Sequence, residues 1–174
     1  MQLKDAIELI DHERIDDIAG PQTWADLGCG EGLFTQALTQ LLKPGSKIYA
    51  VDKTSPGPIP SYNNVLIESK IYDFVKDDLV FPLLDGILMA NSLHYVSDKK
   101  ALLNKLLLLM KPTAGFIIVE YDTDTPVKNW VPYPMSFESL QILFRQVGYE
   151  TIIPIGKRPS VYGRANLYSV LIRK

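Results

Sequence analysis

An apolar run that ends near a carboxylate and passes into three closely spaced glycines constrains this chain most strongly. The run is Trp24-Ala25-Asp26-Leu27, and Gly28, Gly30 and Gly32 follow at alternate positions. Glycine has no Cβ, so the chain can turn sharply here and a ligand can lie against the backbone. A helical pattern begins directly afterwards, over 31–42. The segment therefore predicts a strand, a glycine loop and a helix, which places a nucleotide-like ligand at a helix N-terminus.

The spacing of the glycines argues against two common nucleotide-binding motifs. A G-x-G-x-x-G loop starting at Gly28 requires glycine where the chain has Leu33, and a P-loop requires a Lys-Ser or Lys-Thr dipeptide that does not follow here. The pattern that remains is D-x-G-x-G-x-G over 26–32. A second apolar run, 47–52, ends in Asp52, 20 residues after Gly32. An acid at such a strand end is placed to accept hydrogen bonds from both hydroxyls of a ribose.

The glycine loop closely resembles the first motif of the class I S-adenosylmethionine-dependent methyltransferases, and the segments after it are similar to those that follow in this family. They are the apolar run 84–91 with its continuation Ser92-Leu93-His94-Tyr95-Val96, the turn 109–115 before the run 116–120, and a closing helix and hairpin over 136–148, 149–155 and 166–172. The resemblance extends from about Thr23 onward. It implies an α/β fold with a doubly wound, mostly parallel seven-stranded sheet of order 3-2-1-4-5-7-6, an antiparallel last strand and three α/β/α layers. It also implies S-adenosyl-L-methionine as cofactor and S-adenosyl-L-homocysteine as product.

The remaining segments predict how the chain is organised. Apolar residues with near-helical spacing over 3–18 indicate a helix that packs beside the sheet or partly covers the cofactor. Three prolines and a glycine within 53–62 exclude the regular helix that the family usually has there, so we expect an irregular loop at the adenosine end of the pocket. A third strand over 65–68, a helix over 97–110 and a last helix capped by Ser136 complete the pattern. No repeat or linker divides the chain, so residues 1–174 are expected to form a single domain.

Composition narrows the class of protein. The single cysteine, Cys29, rules out an internal disulfide and fits a reducing, cytoplasmic location. The longest apolar block, 106–110 with its flanks, is too short to span a bilayer. A net charge of −2 gives no overall attraction to nucleic acid. Two histidines and one cysteine offer no convincing metal site, and methyl transfer from a sulfonium requires none.

The resemblance implies a set of cofactor-binding residues around the glycine loop. Asp26 would order the loop and bind the amino-acid part of the cofactor, Asp52 would hold the ribose, and Lys53 would flank the adenine. The full set of expected cofactor contacts is Asp26, Gly28, Cys29, Gly30, Asp52, Lys53, Asp73, Asn91 and Ser92. Cys29 is interpreted as a small residue in a tight loop and not as a nucleophile.

The contact to the adenine is a point where the chain departs from the family. The family often has an acid shortly after strand three, where this chain has Lys70 and Ile71, with Asp73 slightly later. Either Asp73 takes this role through a shifted loop or backbone groups do.

His94 is the candidate catalytic residue, because it follows strand four where cofactor and acceptor would meet. Two interpretations stay open: it acts as a base or hydrogen-bonding group towards the acceptor, or it is a structural residue bonded to a backbone carbonyl. Tyr95, Tyr121, Trp130 and Tyr133 would line an acceptor pocket or belong to the core and its rim.

The leading functional hypothesis is a methyltransferase that acts on a small molecule, with the oligomeric state left open. An RNA methyltransferase is the first alternative; the basic cluster Lys157, Arg158, Arg164, Arg173 and Lys174 is the patch that would bind such a partner. The chain lacks the Asn/Asp-Pro-Pro-aromatic tetrad of enzymes that methylate base amino groups, having Asn91-Ser92-Leu93-His94 instead. The other alternative is a non-catalytic partner subunit that binds the cofactor.

Overall fold

A computed structural model describes residues 1–15, 19–159 and 165–174 of the protein, apart from the side chain of Arg14. It contains seven strands: β1 (Thr23–Leu27), β2 (Lys47–Asp52), β3 (Leu66–Ile71), β4 (Leu84–Ala90), β5 (Met110–Tyr121), β6 (Thr151–Pro159) and β7 (Asn166–Arg173). Its four α-helices are α1 (Leu3–Ile10), α2 (Leu33–Leu41), α3 (Lys99–Leu107) and α4 (Phe137–Gln146). Short 3-10 turns occur at Glu13–Ile15 and Leu93–Tyr95.

The strands form one sheet of order β3-β2-β1-β4-β5-β7-β6, which confirms the predicted topology. The five strands from β3 to β5 are mutually parallel, and β7 runs antiparallel to both of its neighbours. Because parallel strands end on the same side, the residues that follow β1, β2, β4 and β5 come together at one edge. This edge holds the candidate functional residues.

Two apolar clusters cover the two faces of the sheet. One contains residues of α1 and α2 with Trp24 of β1, and the other contains residues of α3 and α4 with Phe116 of β5. The central strand β4 is buried along its whole length. Gly86 of β4 leaves room for the indole ring of Trp24, because a Cβ at this position would overlap that ring. The sheet edge is thus supported by a close-packed core on both sides.

The N-terminal helix is shorter than the predicted 3–18. It ends at Ile10, where Asp11 adopts extended backbone, because the apolar spacing is interrupted by the charged residues that follow. Positions 16–18 of the prediction lie outside the described residues. The helix packs beside the sheet, on the same sheet face as α2, where it buries Ala6, Leu9 and Ile10.

Further boundaries differ from the predictions: α2 and α4 are shorter than 31–42 and 136–148, and β6 runs from Thr151 to Pro159 and not over 149–155. Strand β3 begins at Leu66 and continues to Ile71, beyond the expected 65–68, because it pairs with β2 along all six residues of that strand. Helix α3 is shorter than 97–110: Asp98 accepts a hydrogen bond from the Ala101 amide (2.9 Å) and so caps its start. The segment 109–115 was expected to form a turn, but β5 already begins at Met110, which pairs with Leu84 before an irregular register shift.

The irregular connection between β2 and β3 is confirmed, since residues 53–65 contain neither helix nor strand. The chain here packs back onto α2: the Tyr62 amide donates to Thr39 Oγ1 (3.2 Å) and the Asn63 side chain donates to the Gln40 carbonyl (2.9 Å). The cap at Ser136 is also confirmed, because its hydroxyl accepts the Ser139 amide (3.2 Å). Within the described residues, no helix is long and apolar enough to cross a membrane.

Candidate functional site

The glycine loop is fixed to the end of β2 by its own backbone. The amides of Gly28 and Cys29 both donate to the Val51 carbonyl, at 2.8 and 3.0 Å, and the Gly32 amide donates to the Cys29 carbonyl at 2.8 Å. These bonds hold the loop directly before the first turn of α2. The predicted sequence of strand, glycine loop and helix is therefore present in the structure.

Two of the glycines are required by their surroundings. Gly28 has φ +81°, and a Cβ there would lie 2.5 Å from the Cβ of Ser92. Gly32 has φ +83°, and a Cβ there would lie 2.5 Å from Cδ1 of Ile59 in the connection after β2. Side chains at these positions would be strained in φ and would collide with a neighbour. The loop is thus packed between the end of β4 on one side and residues 53–65 on the other.

Asp26 is a buried carboxylate with one oxygen satisfied and one not. Thr35 of α2 donates its hydroxyl to Oδ2 (2.6 Å), whereas Oδ1 has no hydrogen-bond partner among the described residues. Burial raises the pKa of Asp26 to about 7; the Thr35 hydrogen bond opposes this shift and the nearby Asp52 adds to it. A buried acceptor without a donor is costly in a folded chain, and a ligand with an N–H or O–H group would relieve that cost.

Asp52 points back to the glycine loop. Its Oδ2 accepts the Gly30 amide (2.9 Å), and its Oδ1 accepts the amide and hydroxyl of Thr54 (3.1 and 3.2 Å). The sequence did not predict the bond to Gly30, because no sequence pattern indicates which distant backbone amide a side chain will bind. Each carboxylate oxygen can accept more than one hydrogen bond, so these contacts leave capacity for a ligand. The ribose role of Asp52 stays a prediction.

Lys53 and Asp73 form an ion pair between the ends of β2 and β3, with Lys53 Nζ 3.3 Å from Asp73 Oδ2. Asp73 Oδ1 also accepts the amides of Val75 and Lys76 (3.1 and 3.3 Å) and so shapes the turn after β3. Because β3 extends to Ile71, residues 70 and 71 belong to the strand and Asp73 is the first acid after it. The two residues expected near the adenine therefore contact each other.

Asn91 and Ser92 follow β4 at the same edge. Asn91 adopts φ +54°, its amide donates to the Val119 carbonyl (2.8 Å), and its buried Oδ1 has no partner among the described residues. Left-handed backbone at a residue other than glycine is uncommon, and it is tolerated by asparagine more than by most. Ser92 donates its hydroxyl to the Leu27 carbonyl (2.6 Å), which links the ends of β4 and β1. Asn91 thus gives the edge a second buried acceptor without a donor.

His94 is buried and paired with Glu120, a residue that the sequence analysis missed. Its Nδ1 lies 2.7 Å from Glu120 Oε2, and its backbone amide donates to Glu120 Oε1 (3.1 Å). The side chains of His94 and Glu120 are 3% and 1% exposed. The ring is bonded to a carboxylate and not to the backbone carbonyl that the structural interpretation expected, and the catalytic role of His94 stays a prediction. A carboxylate that ends the apolar run 116–120 could have suggested Glu120, since Asp26 and Asp52 were found by the same pattern.

Aromatic residues surround this pair. The Tyr95 and Tyr121 rings lie 4.3 and 6.0 Å from the His94 ring, measured between centroids. The Tyr133 amide donates to the His94 carbonyl (3.0 Å). Tyr95, Trp130 and Tyr133 are exposed. Tyr95 and Tyr133 therefore form an exposed rim next to His94, whereas a place for Trp130 in this rim stays a prediction.

Cys29 has the properties expected of a non-nucleophilic residue. Burial, followed by the charges of Asp26 and Asp52, raises the pKa of its thiol well above the usual range. Its thiol therefore stays protonated, and its contribution to the site comes from the backbone. Among the described residues, no group of three metal-binding side chains occurs.

The basic cluster near the final hairpin is largely paired within the chain. Lys157 Nζ lies 2.8 Å from Asp122 Oδ2, and Arg158 lies 2.8 Å from Asp5 Oδ1. Lys174 Nζ lies over the Tyr149 ring, 5.7 Å from its centroid. Arg164 falls outside the described residues. Acids that neutralise Lys157 and Arg158 reduce the attraction of this patch for phosphate groups.

The buried acceptors and the glycine loop fit an S-adenosylmethionine-type ligand. Such a ligand carries a cationic amino group, which can donate hydrogen bonds to acceptors such as Asp26 Oδ1 and Asn91 Oδ1. It also carries ribose hydroxyls, which Asp52 is able to accept. Neither Asp26 nor Asn91 has a competing cation in contact with its unpartnered oxygen within the described residues.

Comparisons with known proteins agree with the fold and the motif. A family model described as a methyltransferase domain matches residues 25–116, which contain the glycine loop, Asp52, Asn91 and His94. No curated protein matches the sequence at a significant level.

Solved structures similar to this one cover almost the whole chain at low identity. A Burkholderia thailandensis 1,6-didemethyltoxoflavin-N1-methyltransferase with bound S-adenosylhomocysteine has 19% identity and a TM-score of 0.70, covering 99% of this chain and 77% of its own. An Aquifex aeolicus SAM-dependent methyltransferase has 18% identity and a TM-score of 0.60, covering 100% of both chains. A Synechocystis magnesium protoporphyrin IX methyltransferase with bound SAM has 13% identity and a TM-score of 0.63, covering 99% of this chain and 78% of its own.

Proposed function

The chain belongs to the S-adenosylmethionine-dependent methyltransferase family with the class I fold, and from this premise we propose that it transfers the methyl group to a small-molecule acceptor. Its cofactor is S-adenosyl-L-methionine, and the product is S-adenosyl-L-homocysteine. We further propose that residues 1–174 act as a single domain in a reducing, cytoplasmic compartment.

One observation carries the proposal of a small methyl acceptor: a polar group, His94, contacts the exposed residues Tyr95 and Tyr133 at the same sheet edge as the unpartnered oxygens of Asp26 and Asn91. Tyr95 and Tyr133 of this rim offer flat apolar surface to a ring-shaped molecule of modest size. The similar B. thailandensis and Synechocystis proteins are named for 1,6-didemethyltoxoflavin and for magnesium protoporphyrin IX, both of which are small molecules. These names support the acceptor class and do not identify the acceptor.

In this proposal, the cofactor is held by the glycine loop after β1 and by residues at the ends of β2 and β4. Asp26 binds its amino group, Gly28, Cys29 and Gly30 let it approach the backbone, and Asp52 accepts hydrogen bonds from its ribose hydroxyls. The Lys53–Asp73 pair lies at the adenine end, and Asn91 and Ser92 lie between cofactor and acceptor. The bound cofactor supplies a methyl group already activated by a positive sulfur, so the chain's own contribution is orientation and exclusion of water.

Two alternatives are separated from this proposal by experiment. An RNA methyltransferase needs exposed cations, and two of those predicted for it, Lys157 and Arg158, are paired with acids. A partner subunit without activity would keep cofactor binding and lack turnover. Neither alternative is favoured by a specific contact in the described residues.

The test is calorimetric titration with S-adenosylmethionine, S-adenosylhomocysteine and NAD, followed by a methyl-transfer assay. We expect binding of the first two ligands and none of NAD. The assay uses radiolabelled cofactor with phenols, nitrogen heterocycles and carboxylic acids as acceptors and with total RNA as the comparison. Methylation of RNA alone would favour the first alternative, and binding without transfer to any acceptor would favour the second. Absence of binding by either cofactor form would contradict the proposal.

A further inference from the structure

The buried pair of His94 and Glu120 has a geometry that determines where the imidazole proton lies. Glu120 uses one oxygen for the His94 backbone amide (3.1 Å) and the other for Nδ1 of the ring (2.7 Å). Because Glu120 already accepts the backbone amide, it acts as an acceptor towards this residue, and the ring completes the pair when Nδ1 carries the hydrogen. In the neutral ring, Nε2 is then the nitrogen with a lone pair.

Nε2 is available to another group. Among the described residues, the ring's hydrogen bond is made through Nδ1, and no hydrogen bond to Nε2 is present. The ring as a whole is nearly buried, with a side-chain exposure of 3%. His94 therefore presents one basic atom at a sheet edge that otherwise shields its side chain from water.

The surroundings of the pair fix its position from several elements. Lys99 of α3 donates to the carbonyls of Val96 (2.9 Å) and Tyr133 (2.7 Å) and interacts electrostatically with Glu120. Tyr168 of β7 also interacts electrostatically with Glu120, and its hydroxyl donates to the Met135 carbonyl (3.0 Å). The rings of Tyr95 and Tyr121 lie on the His94 side. A ring held in this way cannot easily rotate to exchange its two nitrogens.

We propose that His94 Nε2 is the base that removes the acceptor's proton, and that Glu120 is the positioning residue that holds His94 in the required tautomer. The acceptor is then a compound whose methylated atom carries a proton that methylation displaces, such as a weakly acidic hydroxyl or a ring N–H. Tertiary amines and thioethers need no base and fall outside this class. This inference rests on the proposed function and names the substrate class of the same site.

The proton and electron balance of the step is simple. The acceptor atom forms a bond to the methyl carbon, the carbon–sulfur bond breaks, and its electron pair remains on sulfur. The acceptor's proton passes to Nε2, and the resulting imidazolium is stabilised by the Glu120 carboxylate on Nδ1. The proton leaves to water after the product does. No metal, oxidant or second cofactor is needed.

The first test is the tautomer of His94 in the whole protein, measured by nitrogen-15 NMR of the imidazole rings. The chain has only two histidines, so a His12→Gln variant assigns both sets of signals. We expect a neutral ring with hydrogen on Nδ1 in the wild type. A ring with hydrogen on Nε2, or one that stays doubly protonated up to pH 9, would overturn the proposal. This measurement needs neither acceptor nor cofactor.

A Glu120→Gln variant tests the role of the carboxylate. Glutamine has one acceptor oxygen, so if that oxygen keeps the His94 amide, its NH2 group faces Nδ1 and drives the hydrogen to Nε2. We expect the NMR signals to report this exchange. With an acceptor found in the methyl-transfer panel, kcat falls about 10²- to 10⁴-fold, while KM and S-adenosylhomocysteine affinity stay within about threefold. In the wild type we expect kcat to rise with pH as His94 loses its proton, and in Glu120→Gln we expect this rise to disappear.

A merely structural role for Glu120 predicts another pattern. Glu120→Gln would then lower the melting temperature without exchanging the tautomer, and kcat would keep its pH profile. If Glu120→Gln does not fold, the wild-type tautomer and a His94→Gln variant still test the proposal. A His94→Gln variant that keeps the wild-type kcat would contradict a base at this position. The proposed function fails separately, when neither cofactor form binds or no small molecule is methylated.

Discussion

Two buried carboxylates at the same sheet edge, Asp26 and Glu120, have opposite hydrogen-bonding states. Both side chains are about 1% exposed, and both lie at the C-terminal ends of parallel strands. Asp26 has one oxygen bonded to Thr35 and one without a partner among the described residues. Glu120 has both oxygens bonded to His94. One carboxylate is therefore incomplete without a ligand, and the other is satisfied by the chain itself.

This difference divides the site into two halves. In the proposed function, the half around Asp26 and Asp52, the cofactor half, receives hydrogen-bond donors from the cofactor. The half around His94 and Glu120, the acceptor half, would meet the methyl acceptor through the imidazole ring, because both Glu120 oxygens are bonded to His94. Burial makes an unsatisfied acceptor costly and a satisfied one stable. We therefore expect changes in the first half to alter ligand affinity and pH dependence, and changes in the second to alter turnover.

Asp52→Ala gives the largest expected effect on the first half. It removes the carboxylate proposed to accept both ribose hydroxyls, and hydrogen bonds to a charged group contribute about 1.5–3 kcal/mol each. We expect S-adenosylhomocysteine affinity to fall about 100-fold or more, measured by calorimetry. Loss of the contact to the Gly30 amide adds to this effect by loosening the loop.

An exposed acid supplies the control for Asp52→Ala. Asp78→Ala removes the same charge from the segment after β3 and should leave the affinity unchanged. The NMR signals of His94 should be the same in both variants, since the hydrogen bonds of Asp52 go to Gly30 and Thr54 and not to the residues around His94. Wild-type affinity in Asp52→Ala would show the ribose assignment to be wrong.

Asp26→Asn should stabilise the protein at high pH while weakening cofactor binding. The pKa of Asp26 is raised from 3.8 to about 7, so the folded chain holds a proton that the unfolded chain has lost. The contribution of this proton to the free energy of unfolding is fully present below pH 3.8. It falls as the pH rises from 3.8 to 7 and stays low at higher pH. The full difference corresponds to about 4 kcal/mol, of which we expect asparagine to recover roughly 2, because its buried NH2 group lacks an acceptor.

Denaturant unfolding at pH 5 and pH 8 measures this effect. The gain in unfolding free energy from Asp26→Asn should be larger at pH 8 than at pH 5. Thr35→Val is the matched variant: it removes the hydroxyl that favours the charged form, so it should reduce stability more at pH 8. An equal gain at both pH values would contradict an Asp26 that is neutral at pH 5 in the folded chain.

Gly28→Ala and Gly30→Ala form a matched pair that tests how the two halves are joined. Both glycines have positive φ, but a Cβ on Gly28 would lie 2.5 Å from Ser92 Cβ, whereas a Cβ on Gly30 would have no atom within 4 Å. We expect Gly30→Ala to cost about 1 kcal/mol from backbone strain and Gly28→Ala to cost about 2 kcal/mol more. Thermal unfolding measures both costs.

The same pair has an effect on the acceptor half. Because a Cβ added at Gly28 would press on Ser92, two residues before His94, Gly28→Ala should also shift the His94 NMR signals, and Gly30→Ala should not. Equal costs for the two variants would mean that the contact between Gly28 and Ser92 does not join the halves.

The sheet and the cofactor half were largely predictable because their determinants are local in sequence. Strand β2 was predicted to the residue, since an apolar run bounded by Gly45 and Asp52 contains its own limits. The glycine loop and its helix likewise follow one another within 17 residues, 26–42. The wrong boundaries, such as the end of β3 at Ile71, come from pairing with a neighbouring strand, which no local pattern contains.

The acceptor half was not predictable in the same way. His94 and Glu120 lie 26 residues apart and meet only because β4 and β5 are adjacent and parallel. The packing of Ile59 against Gly32 also joins two segments that are separated by α2 and β2. The prolines therefore predicted the absence of a helix over 53–62, but no local pattern predicted where this part of the chain would lie. The general rule is that ends of neighbouring parallel strands should be examined together, because each supplies side chains to one edge.

The last expected effect is a graded one, a pH dependence of cofactor affinity in the wild type. If Asp26 binds the cofactor's cationic amino group, it must be ionised to do so, and its pKa of about 7 makes this incomplete below neutral pH. Affinity for S-adenosylhomocysteine should therefore fall up to tenfold per pH unit below about pH 7, and level off above it.

Calorimetry from pH 5.5 to 8.5 measures the slope. Asp26→Asn should have weaker affinity with a flat profile, and Glu120→Gln should keep the wild-type profile, because Glu120 belongs to the other half. A slope that persists in Asp26→Asn and disappears in Glu120→Gln would reverse the assignment of the two carboxylates.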